Sequence, residues 1–135
     1  MEFKRLRTAF YIALIFVLTL PGTSHALGVG DIAVHSKLNQ HFNATIELSS
    51  SNPEETNSLI AELAPKSAFT RLGLEYNPVY KSLEFTLVEN VEKPYIKVTS
   101  TKPIREPFLE FVLSLKWANG AILQIYTVFM MPASR

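Results

Sequence analysis

Apolar and polar residues alternate along much of this chain, most clearly over residues 42–49. Phe42, Ala44, Ile46 and Leu48 share one parity there, and Asn43, Thr45, Glu47 and Ser49 share the other. Because successive side chains of a strand point to opposite faces, this is the pattern of a strand with one face buried. Residues 31–36 carry a shorter version, with Ile32 and Val34 set against Ala33 and His35. The polar stretch between them centres on Asn39 and Gln40, so the two strands either form a hairpin or switch sheets across it. Alternation returns at residues 82–88, where Leu83, Phe85 and Leu87 share a face, and at residues 95–100, where Ile96 and Val98 do. Residues 90–94 read as the turn between these two. The longest signal comes last: Leu109, Phe111, Leu113, Leu115 and Trp117 line one face, Asn119-Gly120 supplies a favoured two-residue turn, and residues 121–131 return. That turn predicts Ile122 opposite Trp117, Tyr126 opposite Leu113 and Val128 opposite Phe111, with Phe111, Leu113, Trp117 and Tyr126 at the centre of the core.

Helical signals interrupt the β pattern after residue 50. Asn52 is a good N-cap, Pro53 suits the first helical position, and Glu54 and Glu55 sit where the helix dipole favours negative charge. Leu59, Ile60 and Leu63 follow at helical spacing, predicting a helix over residues 53–63. Pro65 opens a second short helical turn carrying Phe69 and Leu72, which Gly73 ends in a left-handed cap. Residues 101–107 contain two prolines that cannot donate to a central ladder, so they are expected as a connection along a sheet edge. The sum is six strands in a mainly β chain. An immunoglobulin-like antiparallel β-sandwich with a short helical insertion between the second and third strands fits best, because many short alternating strands need a second apolar layer to cover them. The alternative is one antiparallel sheet covered on one face by the helices.

The first 26 residues have a different character. Lys4, Arg5 and Arg7 precede an uncharged apolar run from residue 9 to 20, followed by Pro21-Gly22 and by Ser24-His25-Ala26, small residues either side of one variable position. This is the three-part pattern of a secretory leader, with cleavage expected after Ala26. The apolar run is 12 residues long, against about 20 needed to span a bilayer. Residues 27–135 are therefore expected as one exported domain with no integral membrane segment after leader removal. The leader carries three of the chain's 13 basic residues and one of its 12 acidic ones, so the domain itself is nearly neutral. A nucleic-acid partner, which needs a clustered positive face, is not expected. There is no cysteine, so neither a disulfide nor a lipid anchor on a leading cysteine is available, and stability must come from burying apolar surface.

Residues suited to catalysis are sparse. The domain has one Asp, Asp31, and two His, His35 and His41. There is no Gly-x-Ser-x-Gly elbow or other nucleophile signature. Two histidines without a third candidate at recognised spacing do not make a metal site, and the acidic pair Glu54-Glu55 is accounted for by helix capping. Gly28 and Gly30 follow no strand and so cannot form a dinucleotide loop. Neither an enzyme nor a cofactor is expected. Trp117 on an alternating strand reads as core rather than as a ligand platform. The polar positions left over are Lys37, Asn39 and Gln40 in the first loop and Arg105 and Glu106 in the proline-flanked connection. They lie where alternation breaks and where partners dock.

Several motifs recur in order: Leu27-Gly28-x-Gly30, then Val34-x-Ser36-x-Leu38-Asn39-Gln40 and Ala44-x-Ile46-Glu47-Leu48. Further on come Phe69-x-Arg71-x-Gly73, then Val98-Thr99-Ser100-x-x-Pro103-x-Arg105-Glu106-Pro107-Phe108-Leu109-x-Phe111, and finally Trp117-x-x-Gly120 with Tyr126-Thr127-Val128. In these the chain resembles the N-terminal periplasmic domain of the FimV family of type IV pilus-assembly and motility proteins, over nearly all of residues 27–135. The resemblance implies a non-catalytic periplasmic module connected with type IV pilus assembly or surface motility. The expected partner is an envelope or pilus-machinery protein, bound through the polar positions Lys37, Asn39, Gln40, Arg105 and Glu106, where alternation breaks. In that family a peptidoglycan-binding LysM module, a membrane span and a cytoplasmic region usually follow. None is visible before Arg135, so direct peptidoglycan binding is not expected of this chain, which reads as a short stand-alone member. The second function class is a chaperone-like periplasmic β-sandwich that donates an edge strand to a client.

Overall fold

The computed structural model describes residues 27–49, 53–89, 91–118 and 120–133. Seven strands run in chain order as β1 (Gly28–Val34), β2 (His41–Ser49), β3 (Ile60–Leu63), β4 (Leu83–Val88), β5 (Tyr95–Pro103), β6 (Phe108–Trp117) and β7 (Gly120–Phe129). Two short helices, α1 (Pro53–Asn57) and α2 (Lys66–Arg71), flank β3, and a 3₁₀ turn over Pro78–Ser82 leads into β4. All pairings are antiparallel. One sheet has the order β1-β2-β5-β4 and the other β3-β6-β7. This four-on-three arrangement is the strand order of a constant-type immunoglobulin sandwich. Residues 35–40 join β1 to β2 as a hairpin.

The inner faces follow the predicted parity. Phe42, Ala44, Ile46 and Leu48 of β2 and Ile96 and Val98 of β5 are buried against Leu109, Phe111, Leu113 and Leu115 of β6. Burying one such aliphatic or aromatic side chain is worth roughly 1.5–3 kcal/mol, so this layer holds the two sheets together without a disulfide. Tyr80 is buried within an aromatic cluster, stacked 5.8 Å from Phe69 and tilted 6.3 Å from Phe111. Its hydroxyl accepts from the Glu110 amide at 3.0 Å, satisfying a β6 donor beyond the end of the β3 pairing.

Four expectations are corrected. The helix over residues 53–63 ends at Asn57, and Ile60–Leu63 form β3, making seven strands rather than six. Pairing decides this: β6 is buried through Leu113 and Leu115, its backbone groups need partners there, and β3 supplies them from Leu63 to Ile60. The expected N-cap, Asn52, lies outside the described residues. The β6–β7 register is shifted by two, with Trp117 opposite Gly120, Leu115 opposite Ile122, Phe111 opposite Tyr126 and Leu109 opposite Val128. An even shift keeps every side chain on its face. Residue 118 is a turn residue after β6, and residue 119 is outside the described set. Trp117 is half-buried at the end of the sheet rather than central: its ring lies over Gly120, where an added Cβ would meet Trp117 Cζ2 at 2.9 Å. Finally, Thr101 and Pro103 belong to β5, an interior strand, and the connection begins at Ile104.

The second helix behaves as expected. Gly73 has φ +74°, its amide donates to the Thr70 carbonyl at 3.1 Å, and the Leu74 amide donates to the Phe69 carbonyl at 2.8 Å. These two bonds make a Schellman cap, whose left-handed residue favours glycine.

Candidate functional site

The polar residues singled out above sit on two segments far apart in sequence, and the end of β5 joins them. Between His41 and Asn43 of β2, the pairing with β5 skips from Pro103 to Thr99, so β5 bulges. The Phe42 amide is left without a ladder partner and donates to Ser100 Oγ at 2.7 Å, while the Ser100 hydroxyl donates to the Lys102 carbonyl. The bulge turns the chain toward the β1–β2 loop. There the Asn39 amide donates to the Ile104 carbonyl at 2.7 Å, and the Ile104 amide donates to the Gln40 carbonyl at 2.9 Å. Ile104 itself is fully buried, anchoring the connection to the core.

The loop is a tight turn. The Gln40 amide donates to the Lys37 carbonyl at 3.2 Å, and Asn39 has φ +69°, a conformation asparagine tolerates better than most residues and the mark of a type II turn. Gln40 Oε1 accepts from the Lys37 amide at 2.8 Å. The Leu38 amide donates to the Met131 carbonyl at 2.8 Å, and the Met130 amide to the Pro107 carbonyl at 2.8 Å. Three segments, residues 37–40, 104–107 and 130–131, are thus bonded into one end of the sandwich.

At this end Lys37, Asn39, Gln40 and Arg105 are exposed and Glu106 is half-buried. The Gln40 side chain closes the turn, and a Glu106 carboxylate oxygen accepts from the Arg105 amide at 3.2 Å. Lys37, Asn39 and Arg105 are the side chains presented outward. The histidines do not converge on a metal: His35 Nε2 lies 3.1 Å from Thr45 Oγ1, His41 pairs with Pro103, and among the described residues no group of three or more His, Cys, Asp or Glu could hold an ion. No helix among the described residues is long and apolar enough to cross a membrane.

Three features of this region go beyond the residues expected from sequence. Ser100 and Ile104 position the loops, yet a serine and an isoleucine in strand-like sequence give no warning of it. The third is an apolar row on the outer face of β7, where Leu123, Ile125 and Phe129 are exposed with Met131 beyond them, and Phe108 of β6 packs on Phe129 at 5.2 Å. A signal for it did exist, since residues 121–131 are apolar at both parities and one sandwich core can use only one of them.

Residues 27–133 match the family model described as the FimV N-terminal domain, an Ig-like domain. Two proteins named "Motility hub protein FimV", from Pseudomonas aeruginosa strains PAO1 and UCBPP-PA14, are each 39% identical to this chain over 130 residues, 95% of this chain and 14% of theirs. The chain therefore spans 14% of the length of these curated relatives. No solved structure matches. With the immunoglobulin-like strand order already evident in the two sheets, this match over residues 27–133 establishes that the chain belongs to the FimV N-terminal domain family.

Proposed function

We propose that this domain is a non-catalytic periplasmic protein-binding module tied to type IV pilus assembly or twitching motility. It binds an envelope or pilus-machinery protein through Lys37, Asn39 and Arg105, with Gln40 and Glu106 shaping the loops that carry them. The observation behind the site is the pair of backbone bonds from Asn39 and Gln40 to Ile104. They hold two polar loops in a fixed relation, so presenting their side chains to a partner costs little ordering entropy. Support for the motility connection is family membership and the name of the relatives, motility hub protein. Support for the compartment is the leader pattern of residues 1–26, which takes residues 27–135 across the inner membrane.

The test is a Lys37→Glu, Arg105→Glu double variant. Both side chains are exposed, so its urea midpoint should match the parent's. On this reading it no longer retains the envelope protein that the parent retains in a periplasmic pull-down, and twitching zones shrink. A well-folded double variant with full capture and full twitching rules the site out.

A further inference from the structure

The outer edge of β7 carries the features of an interface with a second copy of this chain. The sandwich has four edge strands, β1 and β4 in one sheet and β3 and β7 in the other. Exposed edges template unwanted pairing, and proteins blunt them with charge, proline, bulges or shortness. β1 has Asp31 and a register shift, β3 is four residues long with Glu62, and β4 has Glu84. β7 is ten residues long with neither charge nor proline, and among the described residues it pairs only with β6. The Met130 amide bonds toward β6, at Pro107, and the Met131 carbonyl accepts from Leu38 on the opposite side. Backbone direction alternates along a strand, so Ala121, Leu123, Ile125, Thr127 and Phe129 turn their backbone groups toward the open edge.

We infer that this edge pairs antiparallel with β7 of a second copy, about a two-fold axis at Ile125, joining two three-stranded sheets into one of six. The open stretch runs from Ala121 to Phe129, because Leu38 occupies the Met131 carbonyl, and Ile125 is its midpoint. That register sets Ile125 opposite itself, Leu123 opposite Thr127, and Ala121 opposite Phe129. On the two-fold axis the strand meets its own residue, and with no charge on either copy the pairing is free of like-charge repulsion.

Shape favours a second copy over an unrelated strand. Phe129 is the most exposed large apolar side chain among the described residues, at 72%. Opposite it would lie the small Ala121, one of the residues that line a groove of about 380 Å³ between α2 and the sheet, together with Pro65, Ala68, Arg71, Lys116 and Leu123. The projection and the recess are on one strand, four residues either side of Ile125. A two-fold axis therefore seats each in the other twice, as an isologous interface requires. The pairing uses no residue of the loops carrying Lys37 and Arg105, so it stands or falls separately from the function proposed above.

The experiment uses protein purified from the envelope of cells expressing the full chain. Sedimentation velocity should give a species of twice the monomer mass that grows with concentration, and Ile125→Lys should sediment as the monomer with its circular dichroism unchanged. Because the chain has no cysteine, Ile125→Cys reports the register directly. Directly opposed residues in a hydrogen-bonded pair lie about 5.5 Å apart at Cα, within disulfide reach. Pairing raises the local thiol concentration, so Ile125→Cys should cross-link at least about tenfold faster than Val91→Cys in the β4–β5 turn. A parent that stays monomeric, a dimer that survives Ile125→Lys, or equal cross-linking of the two cysteine variants overturns the inference. So does an edge that takes up unrelated extended peptide while the chain remains monomeric.

Discussion

Ser100 does more for this domain than a serine in a strand usually does. Its hydroxyl oxygen accepts from the Phe42 amide at 2.7 Å, and its O–H donates to the Lys102 carbonyl, closing the bulge that aims Ile104 at the first loop. Ser100→Ala leaves the Phe42 N–H buried and unpaired, at a cost of about 1–3 kcal/mol. A urea midpoint that does not fall would mean the bulge closes by itself. Tyr126 is the second such residue: its hydroxyl donates to the Gly30 carbonyl at 2.9 Å, tying β7 to β1 across the sandwich. Burial, with a smaller contribution from the Asp31 carboxylate, pushes its phenol far above the ordinary value of 10.0. The native state therefore holds this proton where the unfolded chain has lost it. The resulting stability is intact below about pH 10, the unfolded value, and drains away as pH rises above it. Tyr126→Phe should thus lose less stability than the parent between neutral pH and pH 11 in paired urea titrations. Parallel curves would show that another group governs the alkaline limb.

At the scale of elements, the β6–β7 hairpin illustrates how one glycine sets a register. Asn119-Gly120 is a favoured turn pair, yet Gly120 lies in β7 opposite Trp117. The indole covers the face of this residue, and a Cβ there would come within 2.9 Å of the ring. Cover of a strand glycine by a cross-strand aromatic ring is a known device for pinning a hairpin. Gly120→Ala should displace the indole into solvent, red-shift the fluorescence of the chain's one tryptophan and cost about 1–3 kcal/mol of overpacking strain. Unchanged emission would mean that the ring is held by the core beneath it. The same balance of local preference against pairing explains β3. Leu59, Ile60 and Leu63 fit a helical stripe, but a helix of that length would leave β6 without its edge partner.

Over the whole molecule, Ile104 couples stability to the candidate binding end. It is fully buried, its amide and carbonyl both bond the first loop, and Arg105 follows it directly. Ile104→Ala should destabilise by roughly 2–5 kcal/mol and loosen the fixed relation between Lys37 and Arg105. Hydrogen exchange is the measurement: the Asn39 and Ile104 amides should lose more protection than the β6 amides, because the ladder of β6 does not depend on this contact. A uniform loss would mean that the end of the sandwich opens only with global unfolding.

Side-chain parity is local, and it is where sequence and structure agree most closely. The buried rows of β2, β5 and β6, the left-handed end of α2 at Gly73 and the mainly β sandwich could all be read from residue order. A strand's two faces and a helix's glycine stop depend on neighbours a few positions away. The candidate loops were legible in part in the same manner, as breaks in alternation at residues 37–40 and 101–107, the second of which begins three residues later, after β5. Long-range pairing decided the rest. Whether residues 60–63 form helix or strand depends on an edge of β6 about fifty positions later, and the hairpin register depends on how an indole fits a glycine. The joining of the two loops depends on a bulge closed by Ser100. In each case the deciding contact links residues that sequence keeps apart, and its free energy exists only once the two sheets have met.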